Sequence, residues 1–311
     1  MNRRGWIQST SLVAAAGLLP ATAVPTGPVN EPADPFPYCL NTSTLQGFKT
    51  GIEDELRIAA RAGYQGVEPW VGELEAHEKS GHSVEDLGRL VRDLGLKIPS
   101  AIGFFEWAVD DETQRRAGIE NARRSMELVR KIGGTHIAAP PVGVTDRADI
   151  DLRVLAERYV ELLEVGRQIG VLPEVELWGF SKTLGRLADV VFVAVASGQP
   201  DATILPDVYH MYKGGTPIRG LRMLNGRAMP AIHMNDYPAT PDRESISDAH
   251  RVYPGDGVAP LTEILRDLRE IGFTGHLSLE LFNRDYWKQD AETVARNGLQ
   301  KMQAAVRAAF A

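Results

Sequence analysis

Six acidic or imidazole side chains stand at the ends of apolar runs in the C-terminal half of this 311-residue chain. Asp207 and His210 close LPDVYH, His233 and Asp236 close AIHMND, Glu176 lies in PEVELWGF and Glu280 in LSLELFN. Carboxylate oxygens and an imidazole nitrogen on neighbouring strand ends make a ligand set for a divalent cation. One residue from each run, Glu176, Asp207, His233 and Glu280, gives three carboxylates and one imidazole, which suits Mn²⁺, Mg²⁺ or Co²⁺, with Zn²⁺ possible. Any one of the four alone reads as readily as an ion pair or a cap. Their recurrence at equivalent strand ends, where a buried carboxylate needs a partner to offset desolvation, points to a metal.

Those ends must be brought together by the rest of the chain. From Tyr38 onward, short apolar runs alternate with amphipathic segments, and glycine-containing turns join them. The pattern predicts strands at 38–42, 66–70, 97–103, 135–140, 172–178, 202–210, 230–236 and 276–282, and helices near 51–62, 83–94, 112–132, 151–169, 183–197, 217–225, 259–271 and 289–309. Gly63, Gly95, Gly133, Gly170 and Gly272 each follow a helical run in the position of a left-handed cap. Eight strands alternating with eight helices predict an α/β fold, a (β/α)₈ TIM barrel, over 38–311. The alternative is a doubly wound open sheet, but the Gly-rich phosphate turn common after its first strand is missing from NTSTLQGFKT.

A barrel carries its chemistry at the C-terminal ends of its strands. Asn41, Glu68 and Trp107 fall at such ends and are candidate substrate contacts. His210 reads either as a loop group orienting Asp207 or as a hydroxyl donor to substrate. Arg251, before the turn PGDG, is a candidate for binding a substrate oxygen. Asp236 reads equally as a cap. Trp70, Trp107, Trp178 and Trp287 each follow a predicted strand, and aromatic walls suit the apolar faces of sugar rings, so a small carbohydrate is the expected partner.

Composition narrows the classes. A net charge of −7 gives no electrostatic support for binding nucleic acid. The single cysteine, Cys39, rules out an intrachain disulfide framework. Serine-nucleophile, nucleotide-phosphate and dinucleotide motifs are missing. Residues 1–23 run from Arg3 and Arg4 through an apolar stretch to Ala21-Thr22-Ala23, the layout of a cleaved export signal of the twin-arginine type. Its removal would leave a chain of net charge −9 with no membrane segment, exported to the periplasm. Residues 24–37, with five prolines, read as a linker.

Taken in order, ELWG after the fifth strand, D-x-x-H after the sixth, H-x-x-D after the seventh, RVYPGDGV and LSLELF resemble the sugar phosphate isomerase/epimerase group. These are xylose-isomerase-like barrels that include ketose 3-epimerases, inosose dehydratases and hydroxypyruvate isomerases. The resemblance covers nearly everything after the linker. It implies that Glu176, Asp207, His233 and Glu280 hold the metal, that Glu176 and Glu280 exchange protons with a substrate carbon from opposite faces, and that His210 and Arg251 contact substrate oxygens. It implies an isomerase or epimerase working through a metal-stabilised enediolate, with a lyase or dehydratase as the alternative, and homo-oligomers are common in the group. Lys182 stands where the ketose epimerases carry a further glutamate. A nuclease on the same fold would need more histidines and a basic groove, and a non-catalytic sugar-binding protein would need no metal-assisted proton transfer.

Overall fold

The apolar runs fold as parallel strands whose buried faces match their nearly continuous hydrophobicity. The computed structural model describes residues 34–311, so the predicted export signal and most of the predicted linker lie outside the described residues. The strands are β1 (Tyr38–Asn41), β2 (Gly66–Glu68), β3 (His136–Ala139), β4 (Leu172–Glu176), β5 (Thr203–Leu205), β6 (Ala231–Met234) and β7 (His276–Leu279). One sheet has the order β2-β1-β7-β6 and the other β3-β4-β5. Single parallel bridges close the ring. Asp207 pairs with His233 between β5 and β6, and Ile102 pairs with both Trp70 and Ala138 between β2 and β3. The result is an eight-stave barrel, as predicted, with one stave reduced to bridges.

That stave is the segment predicted as a strand over 97–103. Its sequence, KIPSAIG, places Pro99 in the middle, and proline has no N–H to give to a ladder. Three other departures have local causes. The run predicted as a strand over 202–210 leaves the sheet at Leu205. Pro206 follows, and the Asp207 side chain accepts the His210 N–H at 2.8 Å, capping a short helix. A helix at Val71–Lys79, unpredicted, buries only Val71 and Leu74, so its apolar signal is weak; the Glu73 side chain accepts the Trp70 N–H at its start. The segment predicted as a helix over 217–225 is 3₁₀ at Ile218–Met223, in a stretch punctuated by Pro217, Gly220 and Gly226. The predicted linker boundary also differs. Phe36 is buried against Phe273 and Phe310, and the Pro37 carbonyl accepts the Leu277 N–H.

The helices are α1 (Ile52–Ala62), α2 (Val71–Lys79), α3 (Val84–Asp93), α4 (Glu112–Lys131), α5 (Leu152–Ile169), α6 (Leu187–Ala196), α7 (Val208–Lys213), α8 (Leu261–Glu270) and α9 (Ala291–Phe310). The five predicted cap glycines, Gly63, Gly95, Gly133, Gly170 and Gly272, all have positive φ, from 70° to 100°.

Asp236 fastens the strap that follows β6. Its carboxylate accepts the N–H groups of Tyr237, Gly255, Gly257 and Ala259 at 2.7, 3.0, 3.1 and 2.8 Å. Gly257 must be glycine, because a Cβ there would stand 2.3 Å from Asp236 Oδ1. Val252 pairs with Asp236, so this turn also sets the position of Arg251. Asp236→Ala leaves four N–H groups without their acceptor. We expect a loss of about 3 kcal/mol or more in denaturant unfolding, at roughly 1.5–3 kcal/mol per bond to a charged group removed. A loss under about 1 kcal/mol would contradict this anchoring role.

At the opposite end of the barrel, burial lowers the pKa of both His136 and His276 to about 4, and nearby Lys97 adds to the effect on His276. The unfolded chain takes up protons below about pH 6.5 while the folded one does not until about pH 4. Stability from these groups is therefore intact above pH 6.5 and is lost as pH falls through this window. With both rings partly exposed, the loss is on the order of 1–3 kcal/mol for the pair. His136→Asn with His276→Gln should flatten the fall in unfolding free energy between pH 6.5 and 4, and an unchanged slope would refute the assignment.

Candidate active site

Asp207, His233 and Glu280 meet at the C-terminal end of the strands, each offering a ligand atom within 4.8 Å of the others. All three are buried. His233 Nδ1 lies 3.4 Å from Asp207 Oδ2 and 3.2 Å from Glu280 Oε2, and it has no hydrogen-bond partner among the described residues. Glu176, the fourth predicted ligand, falls outside this close group, but it lines the same cavity and its Oε2 is also buried without a partner. An imidazole nitrogen without a partner beside two buried carboxylates, with a third carboxylate on the same cavity wall, is a donor set a divalent cation takes, so the residues fit the predicted metal.

A second layer holds these groups in place. His233 Nε2 lies 3.0 Å from Glu68 Oε2, and Glu68 also accepts from Ser278 Oγ at 2.6 Å and Asn41 Nδ2 at 2.9 Å. A carboxylate behind a histidine fixes its tautomer and leaves the other nitrogen free for a metal. Asn41 Nδ2 also reaches Glu280 Oε1 at 3.3 Å, and Asn235 Nδ2 lies 3.3 Å from both Asp207 oxygens.

Three predicted substrate contacts are corrected by this arrangement. Glu68 and Asn41 are fully buried behind the ligands, and neither lines the cavity. Trp107 is fully buried, with its Nε1 donating to the Pro140 carbonyl, and it also lies off the cavity wall. Position after a strand did not distinguish inward support from a surface open to ligand.

The cavity has a volume of about 460 Å³ and is lined by Glu176, His210, Arg251 and Glu280 together with Trp70, Phe104, Trp178, Phe180, Phe282 and Trp287. Trp70, Trp178 and Trp287 were predicted to line it. Phe104 and Phe180 were not, and their exposure of 41% and 50% marks them as open apolar wall. Asp248 was missed as well; it lines the cavity and binds Arg251 at 2.5 Å.

Arg251 is buried and central. Its Nη1 donates to Asp207 Oδ2 at 2.9 Å and to Glu280 Oε2 at 2.6 Å, while the guanidinium covers the Tyr209 ring at 4.5 Å. Its Nη2 lies 3.1 Å from His210 Nε2, and the Gly179 N–H points at His210 Nδ1 from 3.2 Å. A neutral imidazole accepts at only one nitrogen, so both donors cannot be satisfied at once. An acceptor oxygen entering between His210 and Arg251 would relieve that conflict.

Electrostatics follow the contacts. Burial pushes the Glu176 carboxyl up to about 8, against the lowering effect of His233. Burial would also raise Asp207, but Arg251, His210 and His233 outweigh it and hold Asp207 well below the usual carboxylate range. Burial disfavours charge on His233, yet Glu280, Glu68 and Asp207 hold its pKa well above the ordinary value. His210 is lowered, chiefly by burial.

A parallel eight-stave barrel with a carboxylate–imidazole centre at the C-terminal mouth defines an α/β-barrel class of enzyme. The family model described as "Xylose isomerase-like TIM barrel" matches residues 56–305, and the chain belongs to that family. It is 26% identical over 278 residues to an inosose isomerase of Bacillus velezensis, covering 88% of this chain and 98% of the relative. It is 27% identical over 266 residues to a 3-dehydroshikimate dehydratase of Pseudomonas aeruginosa, covering 81% of this chain and 39% of that protein. Among solved structures, the IolI protein with a bound zinc atom superposes with a TM-score of 0.81 at 21% identity, over 88% of this chain and 99% of that one.

Proposed function

We propose that this protein is a divalent-metal-dependent isomerase or epimerase of a keto-sugar. One observation carries the reading: Glu176 and Glu280, from the ends of β4 and β7, face a single aromatic-walled cavity beside Asp207 and His233. When bound, the cation supplies the positive charge that polarises a carbonyl and acidifies the neighbouring C–H. The protein's own groups do the rest. Arg251 and His210 orient substrate oxygens, the aromatic walls hold the ring face and exclude water, and Glu280 and Glu176 take and return a proton from opposite sides. Return to the opposite face of the same carbon is epimerisation, and return to the next carbon is isomerisation. Mn²⁺, Mg²⁺, Co²⁺ and Zn²⁺ all suit the donors, and zinc has the added support of the IolI neighbour.

The second reading is a dehydratase or lyase on an oxidised sugar or glycoside. It is favoured by Lys182, which stands in place of a further glutamate and lines a separate pocket, and by the 3-dehydroshikimate dehydratase relative. The two readings separate in one experiment. Metal-loaded protein is incubated with keto-sugars and keto-glycosides in D₂O and the products are weighed by mass spectrometry. A gain of one mass unit from solvent without loss of a group supports isomerase or epimerase chemistry. Loss of water or an aglycone supports the second reading, and neither change with any substrate sinks both. We further propose export through residues 1–23. A reporter fused after residue 37 should reach the periplasm and stop doing so when Arg3 and Arg4 become lysine; delivery unchanged by that substitution would refute a twin-arginine route.

A further inference from the structure

The end of the barrel away from the catalytic cavity holds a second cleft, of about 570 Å³. It opens beside the N-terminal ends of the strands, between Leu96–Pro99, Thr135–His136, Arg227–Pro230 and Thr274–His276. Arg92, Lys97 and Arg227 line it, and no carboxylate does. None of the three forms an ion pair within 4.0 Å among the described residues. Many other surface arginines of this acidic chain are paired, including Arg61, Arg147 and Arg167. These three exposed cations come from separate segments and meet no acid in this wall, so they give the cleft a local positive potential that favours an anion. Neutral hydrogen-bonding groups complete the wall: the hydroxyls of Thr135 and Thr274 and the rings of His136 and His276. His276 Nε2 is buried without a partner among the described residues.

We propose that this cleft binds a phosphorylated small molecule carrying more than one anionic group. The volume of the cleft and the origin of Arg92, Lys97 and Arg227 in three segments suit a ligand with more than one phosphate. The site is separate from the proposed catalytic centre, because it shares no lining residue with that cavity. A net charge of −7 disfavours indiscriminate anion binding by the surface as a whole, so saturable binding here has to come from the local cluster.

The test is calorimetric titration of the full, metal-loaded chain with a hexose bisphosphate and, separately, with inorganic phosphate, followed by NMR of the histidine rings. We expect the bisphosphate to saturate at one site with at least tenfold tighter binding than phosphate, and to shift the ring signals of His136 and His276. The combined substitution Arg92→Gln, Lys97→Gln and Arg227→Gln should weaken binding at least tenfold. Should that variant fail to fold, Arg92→Gln and Arg227→Gln are made singly, and each should weaken binding measurably. Non-saturable binding, equal affinity in wild type and variants, or shifts confined to His210 and His233 would each overturn the proposal, the last by placing the ligand in the catalytic cavity.

Discussion

Glu280→Gln is expected to lower the rate of C–H exchange into a keto-sugar substrate by about 10²–10⁴-fold, the usual worth of a positioned acid–base group. Glu280 sits where three functions meet. Its Oε2 receives Arg251 and faces His233 Nδ1, its Oε1 receives Asn41, and the residue lines the cavity. Glutamine keeps the shape but cannot take a proton, and its amide offers a cation a neutral oxygen in place of a carboxylate. Metal affinity should therefore also fall, by a smaller factor than the exchange rate. Measuring exchange at saturating metal separates the two effects. Exchange restored to the wild-type rate by excess metal would reduce Glu280 to a ligand alone.

Arg251→Gln should weaken the metal-free protein and tighten its grip on metal. The guanidinium is the nearest positive charge to Asp207 and Glu280, and its removal leaves two buried carboxylates without it. Breaking a buried pair in this way costs about 3–5 kcal/mol. A divalent cation would meet the same two oxygens, so it should restore most of that loss. The native guanidinium competes for those oxygens at 2.9 and 2.6 Å, and without it the cation should bind at least tenfold more tightly by calorimetry. Turnover should drop in the same variant, because substrate oxygens lose a donor. Metal affinity that is unchanged or weaker in Arg251→Gln would contradict the competition.

The barrel was legible because its signals are local and repeated: apolar runs, amphipathic segments and cap glycines that recur along the chain. What the sequence hid depended on partners distant along it. Pro99 reduced a predicted strand to three single bridges, and Pro206 with Asp207 turned a strand end into a helix start. The grouping of Asp207, His233 and Glu280 could be anticipated from equivalent strand ends. The layer behind it could not. Ser278 and Asn235 look like incidental polar residues in LSLEL and HMND until Glu68 and Asp207 are seen beside them. Ser278 did carry one signal: it is a polar residue two positions before Glu280, on the same face of an otherwise apolar strand. Glu68, Asn41 and Trp107 show the reverse error, since a strand-end position is shared by groups that touch ligand and groups that brace those that do.

Asp207, His233, Glu280 and Glu176 come from four strand ends and are proposed to hold one cation. Crystals grown with Mn²⁺ and measured for anomalous scattering test it most directly. One strong peak is expected within about 2.0–2.4 Å of oxygen or nitrogen atoms from Asp207, His233, Glu280 and Glu176, at the spacing usual for hard divalent cations and borderline metals. No peak at this position, or a peak that leaves His233 Nδ1 and Glu176 without contact, would contradict it.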